Sequence, residues 1–203
     1  MTSDKKHILI PVPMPVVTPR LTIRAPQEGD GMAVHAAKVE SMDDLRPWMP
    51  WARESGTVDD NEIVAREAAA KFILREDLML FAFENSTGDF VAGTGLHRMN
   101  WDGGDFEIGY WVRTSAQGKG YATEITNALT RYAFGALNAA RVHITHAAGN
   151  ERSAAVIRKL GFVEDGVLRK RAFMPDNTHK DLHVYSRLDT DGLPELDVRW
   201  RTT

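Results

Sequence analysis

Residues 78–137 constrain the fold more than any other stretch, because three strand-like runs lead into a glycine-rich turn and a helix. The runs 78–83, 90–98 and 105–113 are separated by Asn85-Ser86-Thr87-Gly88-Asp89 and by Asn100-Trp101-Asp102-Gly103-Gly104. Links that short and that rich in turn residues predict an antiparallel meander. Behind it, Gln117-Gly118-Lys119-Gly120 opens a stretch with apolar residues at Ala122, Ile125, Leu129, Tyr132, Ala133 and Leu137, and that spacing predicts a helix over 121–137. A strand that turns through glycines into a helix gathers unpaired N–H groups and the positive end of a helix dipole at one point, where an anion can bind.

Around this segment the chain alternates helices and strands. Leu21-Thr22-Ile23-Arg24 reads as a short strand and 28–40 as an alanine-rich helix. Leu45-Arg46-Pro47-Trp48-Met49-Pro50-Trp51 is too proline-rich for a helix interior and predicts a tight turn, its tryptophans serving packing or lining a groove. Thr57, with an acid three positions on at Asp60, has the spacing of a helix cap, and the helix continues to about Arg75. Val142 and Ile144 mark a strand, 150–160 a short helix closed by Gly161, and 162–168 and 182–188 a last pair of strands. With 43% hydrophobic residues in 203, one core is expected: a mixed α/β domain over 19–189, preceded by a proline-rich extended arm over 1–18 and followed by a polar, peripheral tail over 190–203.

The charge balance of 25 basic against 28 acidic residues gives no reason to expect nucleic acid or a membrane surface as partner, so any anion site must be local. There is no cysteine, which removes disulfides and thiolate chemistry, and no run approaches the ~20 apolar residues of a membrane span. Cytoplasm is the simplest location. His143 and His146 fall on opposite faces of a strand, and His179 and His183 lack a carboxylate pattern nearby, so no metal site is expected.

Glycines at 118 and 120 let the backbone approach an anion, and Lys119 adds positive charge at the rim. On spacing alone, the two glycines serve equally well as a plain strand-to-helix turn. The stretch is neither a P-loop, for want of a Lys-Ser/Thr pair at the required offset, nor a three-glycine dinucleotide fingerprint.

Gln117 through Ala122 resembles the Q/R-x-x-G-x-G/A motif of the GNAT acyltransferases, and it follows the strand Glu107-Ile108-Gly109-Tyr110-Trp111-Val112 as that motif does. Asn150-Glu151-Arg152-Ser153, Leu160-Gly161-Phe162, Thr18-Pro19-Arg20-Leu21 and Leu45-Arg46-Pro47-Trp48 extend the resemblance over about residues 18–189, within the RimJ/RimL branch of ribosomal-protein N-terminal acetyltransferases. The resemblance implies a central, mostly antiparallel twisted sheet, flanked by helices and splayed between its fourth and fifth strands. It implies acetyl-CoA as co-substrate, with no metal. The pantetheine arm would pair with the backbone at Tyr110 and Val112. The pyrophosphate would lie on the turn formed by Gln117, Gly118, Lys119, Gly120, Tyr121 and Ala122. Asn150 would bond the pantetheine arm, or serve only as a helix cap.

For the amine's proton the resemblance points to Glu107, directly or through water, against a solvent-facing strand glutamate as the competing reading. For the leaving thiolate it points to Ser153, against a small polar residue on a short helix. Two positions depart from the family pattern: Ile157 stands where many members carry an acidic tyrosine, and Ala172 where some RimL-like enzymes carry a carboxylate. The implied reaction is acetyl transfer to a primary amine, foremost a protein or peptide N-terminus. The alternatives are a small-molecule amine such as a polyamine, amino acid or antibiotic, and a non-catalytic acyl-CoA-binding protein. The resemblance also allows a homodimer.

Overall fold

The computed structural model describes residues 7–201; the first residues of the N-terminal arm and the end of the tail lie outside them. In chain order the elements are β1 (Val16–Val17), β2 (Leu21–Arg24), α1 (Gly31–Leu45), α2 (Val58–Leu74), β3 (Leu78–Glu84), β4 (Phe90–Asn100), β5 (Asp105–Val112), α3 (Tyr121–Leu137), β6 (Arg141–Ala147), α4 (Glu151–Lys159), β7 (Val163–Phe173), β8 (His179–Arg187) and β9 (Arg199–Trp200). Among the described residues the strands form one nine-stranded sheet in the order β7-β8-β6-β5-β4-β3-β2-β1-β9, antiparallel throughout except for β5 on β6. No helix among them is long and apolar enough to cross a membrane.

Local chemistry sets the helix boundaries. At Thr57 the capping box closes in both directions: Thr57 Oγ1 accepts from the Asp60 N–H at 3.1 Å, and the Thr57 N–H donates to Asp60 Oδ2 at 2.8 Å. Helix α1 starts and ends later than its alanine-rich stretch predicts, running through Ser41 to Leu45. Helix α3 begins where the apolar spacing places it, with Gly120 at φ 83° turning the chain into it and Asn138 at φ 53° turning it out.

Both faces of the sheet are covered, so β4 is buried from Phe90 to Leu96 without the alternation of a one-sided sheet. On one face α3 buries Ile125, Leu129, Tyr132 and Ala133 against Phe106 and Ile108 of β5. On the other, Val34 and Ala37 of α1 and Ala65 of α2 pack on Phe81 and Phe90, with Trp111 at the margin. Trp111 lies across Gly93, where an added Cβ would come within 2.3 Å of its Nε1.

Pairing of β5 with β6 stops early. It holds at Asp105↔Arg141, Phe106↔Val142 and Glu107↔His143, after which residues 108–112 leave β6 while β6 continues on β8 to Ala147↔Leu182. This is the expected splay; the count of strands moves by one because Val16–Val17 adds a strand in front. The segment after Asp189, read as peripheral, instead returns Arg199–Trp200 onto β1, and Trp200 meets the Tyr132 ring edge-on at 5.7 Å. Strand β7 also runs past its predicted end to Phe173, through register shifts at Glu164/Gly166 and Leu168/Ala172 that an alternation pattern does not register.

Candidate active site

The glycine turn presents open backbone. Gly118 at φ 73° has nothing within 4 Å of an added Cβ, and Gly120 enters α3 with no side-chain cap, so the first N–H groups of the helix are left for another acceptor. Side chains from three directions fix the turn. Arg20 Nη1 donates to the Lys119 carbonyl at 2.9 Å, while its guanidinium pairs at 2.5 Å with Glu124, a buried first-turn carboxylate that also accepts from Thr18 Oγ1 at 2.6 Å. The same guanidinium lies 4.4 Å from the Tyr121 ring centre, and the Tyr121 hydroxyl donates to Glu84. Gln117 ties the turn to its neighbours: its Nε2 donates to the Val112 carbonyl at 3.2 Å and its Oε1 accepts from Arg152 at 2.8 Å. Lys119 is exposed beside the turn.

Beyond the splay, the free edge of β5 can be assigned from its pairing. The Arg113 N–H donates to the Val91 carbonyl on the β4 side, and peptide groups alternate sides along a strand. The N–H and C=O groups of Tyr110 and Val112 therefore face the opening left by β6, and of these the Val112 C=O already accepts from Gln117 Nε2. They lie in line with the turn, as an extended thioester arm ending in a pyrophosphate would require.

The positions of opposite sense, Glu107, Gly109 and Trp111, face the α1/α2 side, and there a band of charge crosses the sheet. Glu107 is buried and accepts from Arg98 Nη1 at 2.6 Å and Thr145 Oγ1 at 2.9 Å, with His143 Nε2 at 3.4 Å. Burial is the largest single influence and pushes its pKa up, but His143, Arg98 and Thr145 together hold it at about 2. For His143, burial works against the charged form, yet Glu107 and Asp105 outweigh it and raise the pKa. Beside them on β4, His97 Nδ1 lies 2.9 Å from Asp77 Oδ2, and its ring rests over Gly95 and Gly109.

Of the two expected roles for Glu107, direct and water-mediated base, these surroundings disfavour the direct one. An α-ammonium titrates near ~8, so giving its proton to a carboxylate held at about 2 is uphill by about 8 kcal/mol, at ~1.4 kcal/mol per pH unit. Glu107 is a fixed anion. The same depression predicts acid lability. Glu107 titrates near ~4.3 when unfolded, so its contribution to stability is present above that pH and is lost as the pH falls toward 2. Glu40, held at about 2 chiefly by its bond from Arg113, acts in the same window. The urea midpoint should hold down to about pH 5 and then fall, and Glu107→Gln should flatten the fall; an acid slope unchanged by that substitution would refute the coupling.

On the other side of the splay, Asn150 caps α4, its Oδ1 accepting from the Ser153 N–H at 3.2 Å, so the cap engages only the amide oxygen. Ser153 Oγ lies 3.1 Å from the Tyr110 hydroxyl, and burial pushes the Tyr110 pKa up to about 12 against the weaker opposing effect of Ser153. Ile157 is fully buried in the core and can offer nothing to the cleft.

All of the expected site residues except Lys119 line one cleft of about 1900 Å3, well beyond the ~300–1,000 Å3 of a single-ligand pocket. Trp48, Trp51 and Ala172 line it too, so the tryptophans belong to the groove. Among the described residues no group of three His, Asp or Glu is placed to share a metal ion, although Glu164 does lie 3.4 Å from His183 Nδ1, a carboxylate neighbour the sequence did not suggest. Sequence reasoning missed His97, Asp77, Arg98, Thr145 and the Tyr110 side chain, because each gains its meaning only from cross-strand register or from a distant element.

Known proteins are similar to this chain in sequence and in fold. A family model described as acetyltransferase (GNAT) domain matches residues 20–163. The Bacillus subtilis (strain 168) protein named "Putative ribosomal N-acetyltransferase YdaF" is 30% identical over 175 residues, 85% of this chain and 93% of that protein. The solved structure of RimL, a ribosomal L7/L12 alpha-N-protein acetyltransferase in complex with coenzyme A, is similar in fold at TM-score 0.79 and 19% identity, over 86% of this chain and 97% of that one. Mycobacterium smegmatis RimJ in complex with a CoA disulfide matches at TM-score 0.77 and 22% identity, over 86% of each chain. With the splayed sheet, the open glycine turn and a family model spanning most of the domain, the chain belongs to the GNAT family of acetyltransferases.

Proposed function

We propose that this acetyltransferase carries acetyl from acetyl-CoA to the α-amine at a protein N-terminus. The observation that carries the choice of acceptor is the state of the cleft's acids. Asp44, Asp77, Asp105 and Glu107 line it, and each already has a basic partner: Arg152, His97, Arg141 and Arg98 respectively. A polyamine or aminoglycoside needs unpaired carboxylates in number, whereas a single α-ammonium on an extended peptide does not. Trp48 and Trp51 at the cleft wall suit a peptide. The name of the B. subtilis relative supports the same acceptor, for which the cytoplasm is the natural setting.

In this reading the backbone of Tyr110 and Val112 pairs with the pantetheine arm, and the N–H groups from Gly118 to Ala122 hold the pyrophosphate with Lys119 adding charge at the rim. Gln117 and Tyr121 brace the turn, and Asn150 offers its remaining amide N–H. Glu107 acts as a positioning residue, its carboxylate holding Arg98, Thr145 and His143 together at the cleft. Ser153 donates a hydrogen bond to the leaving thiolate, and the Tyr110 hydroxyl restores the proton, staying protonated across the working pH because burial raises its pKa to about 12.

Free-thiol release from acetyl-CoA tests the reading, using free N-terminal peptides, N-blocked lysine peptides, polyamines and amino acids. Turnover should require a free peptide N-terminus. A preference for a polyamine or amino acid would overturn the acceptor, and acetyl-CoA binding without thiol release from any amine would leave a binding protein only.

A further inference from the structure

The Glu107 carboxylate already accepts from Arg98, Thr145 and His143, which directs attention to a base with a free lone pair among its neighbours on the same face of the sheet. His97 is the register partner of Glu107, directly across β4/β5. Its Nδ1 faces Asp77 at 2.9 and 3.1 Å. An ionised carboxylate only accepts hydrogen bonds, so Nδ1 carries the proton and Nε2 is left with a free lone pair. Two glycines make room for the ring. An added Cβ would fall 2.8 Å from Nε2 at Gly95 and 3.3 Å from it at Gly109. Gly109 belongs to the stretch of β5 that has just parted from β6, so Nε2 lies over the segment whose freed backbone faces the thioester arm in the proposed reading. His97 is only partly exposed and lines the cleft.

We propose that His97, oriented by Asp77, is the catalytic base that accepts the proton of the acceptor ammonium at Nε2; this rests on the acetyl-transfer reading above. With the proton on His97, the amine lone pair forms the C–N bond at the thioester carbonyl. The C–S bond then breaks with its electron pair going to sulfur, and Ser153, backed by Tyr110, protonates the thiolate. The nitrogen's second proton passes to water as the intermediate collapses, His97 gives its proton to solvent, solvent returns one to the Ser153–Tyr110 pair, and the whole reaction releases one proton. The charged and titratable groups facing His97 are Asp77 before β3, Glu107 on β5 with its Arg98 and His143, and Glu67 and Lys71 of α2, which share a small hollow with the imidazole.

The test starts from the acceptor peptide that the unmodified enzyme turns over best. His97→Gln should lower kcat/KM by ~10²–10⁴-fold with acetyl-CoA affinity nearly unchanged, and added imidazole should restore part of the loss in His97→Ala. The acidic limb of the kcat/KM profile should vanish in His97→Gln, shift in Asp77→Asn and survive in Glu107→Gln. Near-normal turnover in His97→Gln, or loss without imidazole rescue and with the limb intact, would overturn the assignment. Should the His97 variants fail to fold, Asp77→Asn decides alone, and a limb that does not move refutes the dyad. Absence of turnover in the unmodified enzyme would sink the acetyl-transfer reading instead, a result distinct from any of these.

Discussion

Gly120→Val should weaken acetyl-CoA binding by about 100-fold or more while leaving the protein folded. Gly120 sits at φ 83°, in the left-handed region where a β-branched residue is strained by about 1–2 kcal/mol. That strain is a fraction of the ~5–15 kcal/mol of a typical domain, so the fold should survive. The ligand loses more. A side chain at the mouth of α3 forces the backbone N–H groups back from the pyrophosphate, and a hydrogen bond to a charged group contributes ~1.5–3 kcal/mol. The strain is common to free and bound protein and cancels in the affinity, so the loss comes from the bonding: one to two such bonds are about 3–4 kcal/mol, or two to three decades of affinity at ~1.4 kcal/mol each. Gly192→Val is the control, since Gly192 has φ 71° and open space around it but lies in the C-terminal segment. Calorimetric titration with acetyl-CoA should separate the two: similar drops in melting temperature, with affinity lost only at Gly120. Unweakened binding in Gly120→Val would remove the turn from the phosphate site.

The sequence carried the turn and the long elements because their signals are local. Helix α3 could be bounded at Tyr121 and Leu137 from apolar spacing and the glycines in front, and the Thr57/Asp60 box fixed the start of α2. Strands β1 and β9 could not be read this way: two-residue strands have no period, and they exist because Val16 and Val17 pair with Thr22 and Ile23 on one side and with Arg199 and Trp200, far along the chain, on the other. The chemistry divided along the same line. Backbone roles at Tyr110, Val112 and the turn follow from strand–turn–helix order. The state of Glu107 does not, because its partners come from β4 and β6 and reverse the effect of burial. His97 passed unnoticed for the same reason, as nothing in Leu96-His97-Arg98 hints at Asp77 twenty positions earlier in the chain. Where a side chain's role depends on register, a single sequence lists it among unremarked polar residues.

Tyr110→Phe and Ser153→Ala should each lower kcat by ~10²-fold with the acceptor peptide, and the double variant should be no slower than the worse single. The reason lies in how the two hydroxyls are joined. They are 3.1 Å apart, one on the freed edge of β5 and the other in the first turn of α4, on opposite sides of the opening that the thioester arm would enter. A serine hydroxyl alone is a poor acid. Coupled to a phenol that burial keeps protonated, it can pass a proton on and be refilled by Tyr110, whose phenolate then takes a proton from solvent. Removing either member breaks the same chain, so the losses overlap instead of multiplying. Acetyl-CoA affinity should change little, because neither hydroxyl is needed for the backbone pairing of Tyr110 and Val112. Multiplicative losses in the double variant would mean that the two act independently, and an unchanged kcat in Tyr110→Phe would leave solvent as the source of the thiolate's proton.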